Sequence, residues 1–167
     1  IGKGSFGKVY LGMHANTGEL LAVKRIKLNF EVDDLQAQTL KTEINLIKGL
    51  IHPHIVQFIE TQNNGEYLDI LMEYVPGTSL DSLLDKFGAF SEKICATYTK
   101  QLLSALDYCH AQGVIHRDIK GKNILLDTSG TMKLADFGSA KRFNVALLSK
   151  EAPSVSYNYT PLWTAPE

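Results

Sequence analysis

Cysteine is scarce in this chain of 167 residues, with Cys95 and Cys109 its only two. A disulfide framework needs a denser set in a short secreted protein. We therefore expect two buried thiols in a helical stretch rather than a bridge or a metal site, and a reducing, cytoplasmic setting. Long apolar runs are missing as well. None approaches the roughly 18 residues of a spanning helix, and no signal peptide is read, so no membrane partner is expected. Charge of one sign is also lacking: 17 Lys and Arg against 18 Asp and Glu leave a net charge of −1. Without a basic face or polybasic run, nucleic acid and membrane surfaces are excluded as default partners. There is no internal repeat and no compositional drift marking a linker. What remains is 44% apolar and 21% charged, enough for one domain with a sizeable core.

Along the chain the patterns change character once. Gly7 to His14 alternates Val9 and Leu11 against Lys8, Tyr10 and Gly12, which predicts a strand. The Asn16-Thr17-Gly18 turn leads to a second strand over Leu20 to Ile26, making a hairpin. Asp33 to Leu50 has helical spacing through Leu40, Ile44, Ile47 and Ile51, with Pro53 beyond its end. Short apolar runs at Ile55–Phe58 and Tyr67–Met72 flank Asn63-Asn64-Gly65 and predict another hairpin. Pro76-Gly77 then breaks the chain. Ser79 to Lys86 reads as a short helix, and Ser91 as the N-cap of a long one closed by Gly113. Two brief strands, Ile124–Leu126 and Met132–Ala135, surround Asp127-Thr128-Ser129-Gly130, and Phe143 to Tyr159 reads as a long loop.

Two polar features precede any family argument. Gly2-Lys3-Gly4-Ser5-Phe6-Gly7 fits G-x-G-x-x-G, but a dinucleotide turn needs a helix next, and Lys8-Val9-Tyr10-Leu11 is β-patterned. A Walker loop fails too, because Val9 stands where a Ser or Thr must reach a cation. A glycine hairpin remains, either plain or able to lie close over phosphates because no Cβ intervenes. Second, Lys24 sits in the apolar strand Leu21-Ala22-Val23. Glu43 falls within about 60° of Leu40, Ile47 and Leu50 on a helical wheel, so it shares their face. A buried carboxylate needs a partner, and Lys24 is the natural one.

At His116-Arg117-Asp118-Ile119-Lys120-Gly121-Lys122-Asn123, with Asp136-Phe137-Gly138 and Ala165-Pro166-Glu167, the chain resembles the protein kinase family. The motifs run in family order over essentially the whole sequence. Lys120 with Asn123 looks like the Ser/Thr type. HRDIKGKNILLD and TPLWTAPE are most similar to mitogen-activated protein kinase kinase kinases and their sterile-type relatives, although Tyr159 stands where those usually have Gly.

The resemblance implies an α+β, bilobal fold: a small β-rich N-lobe with one helix, and a truncated, mostly helical C-lobe. Residues 1–75 would be an N-lobe lacking its first strand, and 76–167 the C-lobe through the activation segment. It implies ATP-dependent phosphorylation of protein Ser/Thr hydroxyls with Mg²⁺, in a signalling cascade. Asp118 would orient the substrate hydroxyl and accept its proton, Lys120 would neutralise γ-phosphate charge, and Lys24 with Glu43 would hold the α- and β-phosphates. Asn123 and Asp136 would hold Mg²⁺. Gly2, Gly4 and Gly7 would cover the phosphates. Ile1, Val9, Ala22, Met72 and Leu125 would sandwich adenine, with backbone hydrogen bonds from Glu73 and Val75. Ile47, Phe58, His116 and Phe137 would stack as a spine, while His52 and His54 are read as structural.

Ser156 would be the activating phosphosite, filled by an upstream kinase or by autophosphorylation, with Arg117 as phosphate partner. Thr160 would serve Asp118 and Lys120 through its hydroxyl. The protein substrate would itself be a kinase. A scaffold without activity would normally lack one of Lys24, Glu43, Asp118, Asn123 or Asp136, and none is missing. Since the sequence opens inside the glycine turn and stops at Glu167, we expect a fragment that folds poorly and is inactive alone.

Overall fold

The computed structural model describes residues 1–4, 7–28, 44–143 and 161–163. Antiparallel pairing builds its first layer. Strands β1 (Gly2–Gly4) and β2 (Gly7–Met13) close a tight hairpin in which Gly4 faces Gly7. A Cβ at Gly7 would run into the Arg25 carbonyl, so glycine is required there by the neighbouring strand itself. β3 (Leu20–Lys27), β4 (Phe58–Asn63) and β5 (Tyr67–Glu73) complete a five-stranded sheet in the order β1-β2-β3-β5-β4. Register across the sheet is locked by Arg25. Its guanidinium donates to both carboxylate oxygens of Asp69 at 2.8 and 2.6 Å and lies 5.7 and 5.4 Å from the Tyr10 and Tyr67 rings.

Two sequence expectations shift here. The strand expected at 55–58 begins only at Phe58 and continues through Glu60, Thr61 and Gln62. As an edge strand it needs ladder hydrogen bonds more than an apolar face, so hydrophobic runs locate it poorly. Ile51, expected on the buried face of the preceding helix, is 71% exposed. Residues 44–47 are helical and a turn follows, so Leu46 and Leu50 fill the core instead.

After the Pro76-Gly77 break, β6 (Gly77–Ser79) leads into α1 (Leu80–Phe87), whose first turn is capped by the Ser79 hydroxyl accepting from the Ser82 N–H at 3.2 Å. α2 (Glu92–Ala111) ends before Gly113, whose φ of 69° suits a residue without Cβ. β7 (Val114–Ile115), β8 (Ile124–Asp127), β9 (Met132–Leu134) and β10 (Lys141–Arg142) follow. They form a β6-β8-β9 sheet and a β7–β10 pair, both antiparallel. Period-two alternation turns Ile124, Leu126, Met132 and Leu134 into a core shared with Ala105, Cys109, Val114 and Phe137.

That core meets α2 from Tyr98 onward, which corrects the cysteine expectation. Cys109 is buried, its thiol pushed up to about 11 by burial, but Cys95 lies beyond the packed turns and is exposed. Both thiols are free. Among the described residues, no helix is long and apolar enough to cross a membrane.

A strap of chain at 52–57 joins the two layers. Leu134 donates its N–H to the His54 carbonyl at 2.9 Å and accepts from the Val56 N–H at 2.9 Å. His54 Nδ1–H reaches the Met132 carbonyl at 2.9 Å, while His52 stacks on Tyr108 at 5.2 Å and meets the Ser104 hydroxyl at 3.2 Å. Both histidines therefore hold the turn in place.

Candidate functional site

Between the five-stranded sheet and the β6-β8-β9 sheet lies a cleft of about 660 Å³. One end is apolar, with Ile1, Val9, Ala22, Met72 and Leu125 on its walls beside residues 73–75 of the connecting chain. The other end is charged and carries Lys24, Lys120, Asn123 and Asp136. β3 and β5 bring Ala22 opposite Met72, and β8 supplies Leu125 from the facing layer.

Of the residues assigned from sequence, Ile1, Gly2, Val9, Ala22, Lys24, Met72, Glu73, Val75, Lys120, Asn123, Leu125 and Asp136 all line this one space. Gly7 does not line it, and its lack of a Cβ serves the β2–β3 contact instead. Glu43, Ser156, Tyr159, Thr160 and the segment 165–167 lie outside the described residues, so the expected Lys24–Glu43 pairing does too. The Ser79, Ser82 and Lys122 side of the cleft was not anticipated, because only tertiary folding brings β6 and α1 against the 121–123 turn.

The charged end is tightly interlocked. Lys24, 5% exposed, donates from Nζ to Asp136 Oδ1 at 3.0 Å. Lys120 Nζ sits 3.0 Å from Asp118 Oδ1 and 2.8 Å from Oδ2. Asn123 Nδ2 donates to the Asp118 carbonyl at 2.8 Å and to its Oδ2 at 2.9 Å. That commitment of the amide nitrogen fixes the orientation of Asn123 and leaves its oxygen as the atom offered elsewhere. Asp118 is not among the residues lining the cleft and is joined to it through Lys120 and Asn123.

Backbone strain accompanies these contacts. Arg117 and Asp136, neither of them glycine, have φ of 66° and 57°. Each such residue costs about 1–3 kcal/mol and persists only where its surroundings over-determine it. Arg117 is held by its Nε donating to the Ser139 carbonyl at 2.6 Å, and Asp136 by Lys24.

His116 is fully buried beneath the site, its ring edge-on to Phe137 at 4.6 Å. Phe137 lines the cleft with Ile47 and Phe58, so the four expected spine residues gather in one region. The His116 Nε2 lies 3.0 Å from the Ala135 carbonyl, which can only accept, and Nδ1 accepts from the Asp118 N–H at 3.3 Å. The imidazole is therefore neutral with its hydrogen on Nε2, and burial holds it below its ordinary value of 6.5. Below that value the unfolded chain binds the extra proton first. The stability contributed is complete above about 6.5 and is lost as pH falls through the folded value. His52, lowered chiefly by burial, adds to the slope in the same sense. Urea midpoints are expected to fall from about pH 7 to about pH 5, with a shallower fall in His116→Gln. An identical slope in that variant would remove His116 from the account.

At the apolar end, the Glu73 carboxylate accepts from the Gln57 N–H at 3.1 Å and from Lys133 Nζ, which lies 2.8 and 3.0 Å from its two oxygens. Sequence reasoning missed Lys133. The available signal was its place in β9 between two buried residues, Met132 and Leu134, where a lysine must turn to the opposite face and find a carboxylate.

Comparison with known proteins returns one consistent answer. A family model described as protein kinase domain matches residues 1–167. Mitogen-activated protein kinase kinase kinase 2 of Arabidopsis thaliana is 48% identical over 100% of this chain and 26% of its own length. Mitogen-activated protein kinase kinase kinase A of Dictyostelium discoideum is 43% identical, again over 100% of this chain but 18% of its own length. The cytokinesis protein sepH of Aspergillus terreus is 47% identical over 100% of this chain and 12% of its length. The chain thus spans about a quarter or less of the curated relatives it matches.

Proposed function

This chain belongs to the protein kinase domain family, and we propose that the complete protein transfers the γ-phosphate of ATP to serine or threonine hydroxyls of other proteins. The observation that carries the reading is a cleft whose apolar end and charged end match the two halves of a nucleotide. Its volume of about 660 Å³ falls in the range of small-molecule sites. Residues 1–75 and 76–167 act as the two lobes around it.

Each group has a role suited to its chemistry. Val9, Ala22, Met72 and Leu125 enclose the adenine, and the backbone of Glu73 and Val75 hydrogen-bonds its edge. Gly2 and Gly4 cover the phosphates, and Lys24 holds the α- and β-phosphates. Asp136 and the free amide oxygen of Asn123 are hard oxygen donors of the kind Mg²⁺ takes, which fits the orientation imposed by Asp118. Mg²⁺ held there neutralises phosphate charge. Lys120, already beside Asp118, meets the charge developing on the transferred group. Asp118 orients the incoming hydroxyl and takes its proton. Lys120 with Asn123 supports the Ser/Thr assignment.

The substrate we propose is another kinase, following the names of the relatives, in a cytoplasmic cascade. Ser156 is the proposed position for an activating phosphate, added by an upstream kinase or by the protein itself.

The test is Mg·ATP binding and phosphorylation of a generic Ser/Thr protein by the complete protein and by its Asp136→Asn variant. Transfer should fall by about 10² or more in the variant, since it loses a metal oxygen and the charged partner of Lys24. Nucleotide binding without any transfer in the wild type would replace the enzyme reading with a scaffold.

A further inference from the structure

The Glu73–Lys133 pair ties the end of β5 to β9 at the adenine end of the cleft, with Lys133 three residues before Asp136 in the chain. Resting on the nucleotide reading above, we propose that Lys133 is a positioning residue for ATP. It clasps Glu73 so that the backbone at 73–75 stands at a fixed height over Leu125.

The geometry runs through three elements. β9 pairs Lys133 with Leu125 of β8, and Leu125 lines the cleft. From there Lys133 Nζ reaches both oxygens of Glu73, the last residue of β5, at 2.8 and 3.0 Å. Glu73 is also bound to the strap: its carboxylate takes the Gln57 N–H, and its own N–H donates to the Gln57 carbonyl at 2.9 Å. The next residue of β9, Leu134, holds the same strap at His54 and Val56. The end of β5 is thereby tied to the strand beside the cleft floor by backbone and side chain together.

Lys133 does not itself line the cleft, so it acts on the nucleotide only through Glu73. The two side chains are 16% and 31% exposed. An ion pair with such access to water adds little to global stability, so the consequence of losing it falls on local position. With the cation gone, the Glu73 carboxylate turns to solvent and releases its hold on the strap. The backbone that should meet the adenine edge then has to be ordered by the ligand. That raises the dissociation constant without touching the transfer step at the other end of the cleft.

The experiment measures the dissociation constant of a fluorescent ATP analogue with Mg²⁺, the KM for ATP and kcat, all in the complete protein. Lys133→Met is expected to weaken nucleotide binding and raise KM by about fivefold to tenfold, with kcat at saturating ATP retained. Lys133→Arg, which can still span to the carboxylate, should recover the wild-type affinity. Glu73→Gln should weaken binding alone but add nothing on top of Lys133→Met, since both remove one clasp. Wild-type affinity in Lys133→Met, or additive losses in the double variant, overturns the proposal. If Lys133→Met does not fold, unchanged affinity in Glu73→Gln overturns it equally. A wild-type protein that binds no Mg·ATP overturns the nucleotide reading itself, and that failure is separable because it needs no variant.

Discussion

Asp118→Asn is expected to lower kcat by about 10²–10⁴ while leaving the affinity for Mg·ATP as it was. The separation follows from placement. Asp118 is not among the residues lining the nucleotide cleft, and its backbone carbonyl and its Oδ2 are both gripped by Asn123. Asparagine fills the same volume, and with its oxygen at the Oδ2 position it still accepts from both Asn123 Nδ2 and Lys120, so the groups that line the cleft stay in place. What disappears is the basic, charged oxygen that would take a proton from the substrate hydroxyl. Rapid-quench phosphotransfer and equilibrium nucleotide binding, measured on the same preparation, read the two quantities apart. Equal loss of binding and transfer would demote Asp118 from base to scaffold.

Lys24→Met should be nearly as severe, with turnover reduced by about 10²–10³. Methionine matches the length of lysine but brings no charge, and it leaves the part-buried Asp136 carboxylate without its contact at 3.0 Å. Two costs are mixed in that single variant: misplaced phosphates, and a buried anion stripped of a cation. The second lowers stability as well. Adding Asp136→Asn separates them, because the double variant removes both charges. Its melting temperature should rise above that of Lys24→Met while activity stays lost. A double variant with recovered turnover would show that Lys24 serves only to balance Asp136.

Lys24 stood out in the amino-acid sequence because a lysine inside Leu-Ala-Val has unusual local surroundings, whereas Asp118 was singled out by the resemblance of its motif to the protein kinase family. The hairpins at Gly7–Met13 and Leu20–Lys27 and the long helix Glu92–Ala111 were equally plain, since alternation and helical spacing are local patterns. What stayed hidden was decided across distance. Lys24 meets Asp136 across 112 positions, and Lys133 meets Glu73 across 60, so no spacing rule could couple them. Cys95 shares its helix with Cys109 but not the packed turns, and Ile51 keeps the apolar rhythm after the helix has ended. β6 and β7 carry too few residues for any pattern, and they exist because β8 and β10 lie alongside.

The neutral imidazole under the site has one more effect. Proton conduction along a chain of groups requires each member to receive a proton on one side and pass one on from the other. His116 can do neither, because its Nδ1 lone pair is occupied by the Asp118 amide and its Nε2–H points at a backbone carbonyl. On the role proposed for Asp118, a proton collected there would find no relay in His116 beneath it, and its exit would be outward, along the route by which the substrate entered.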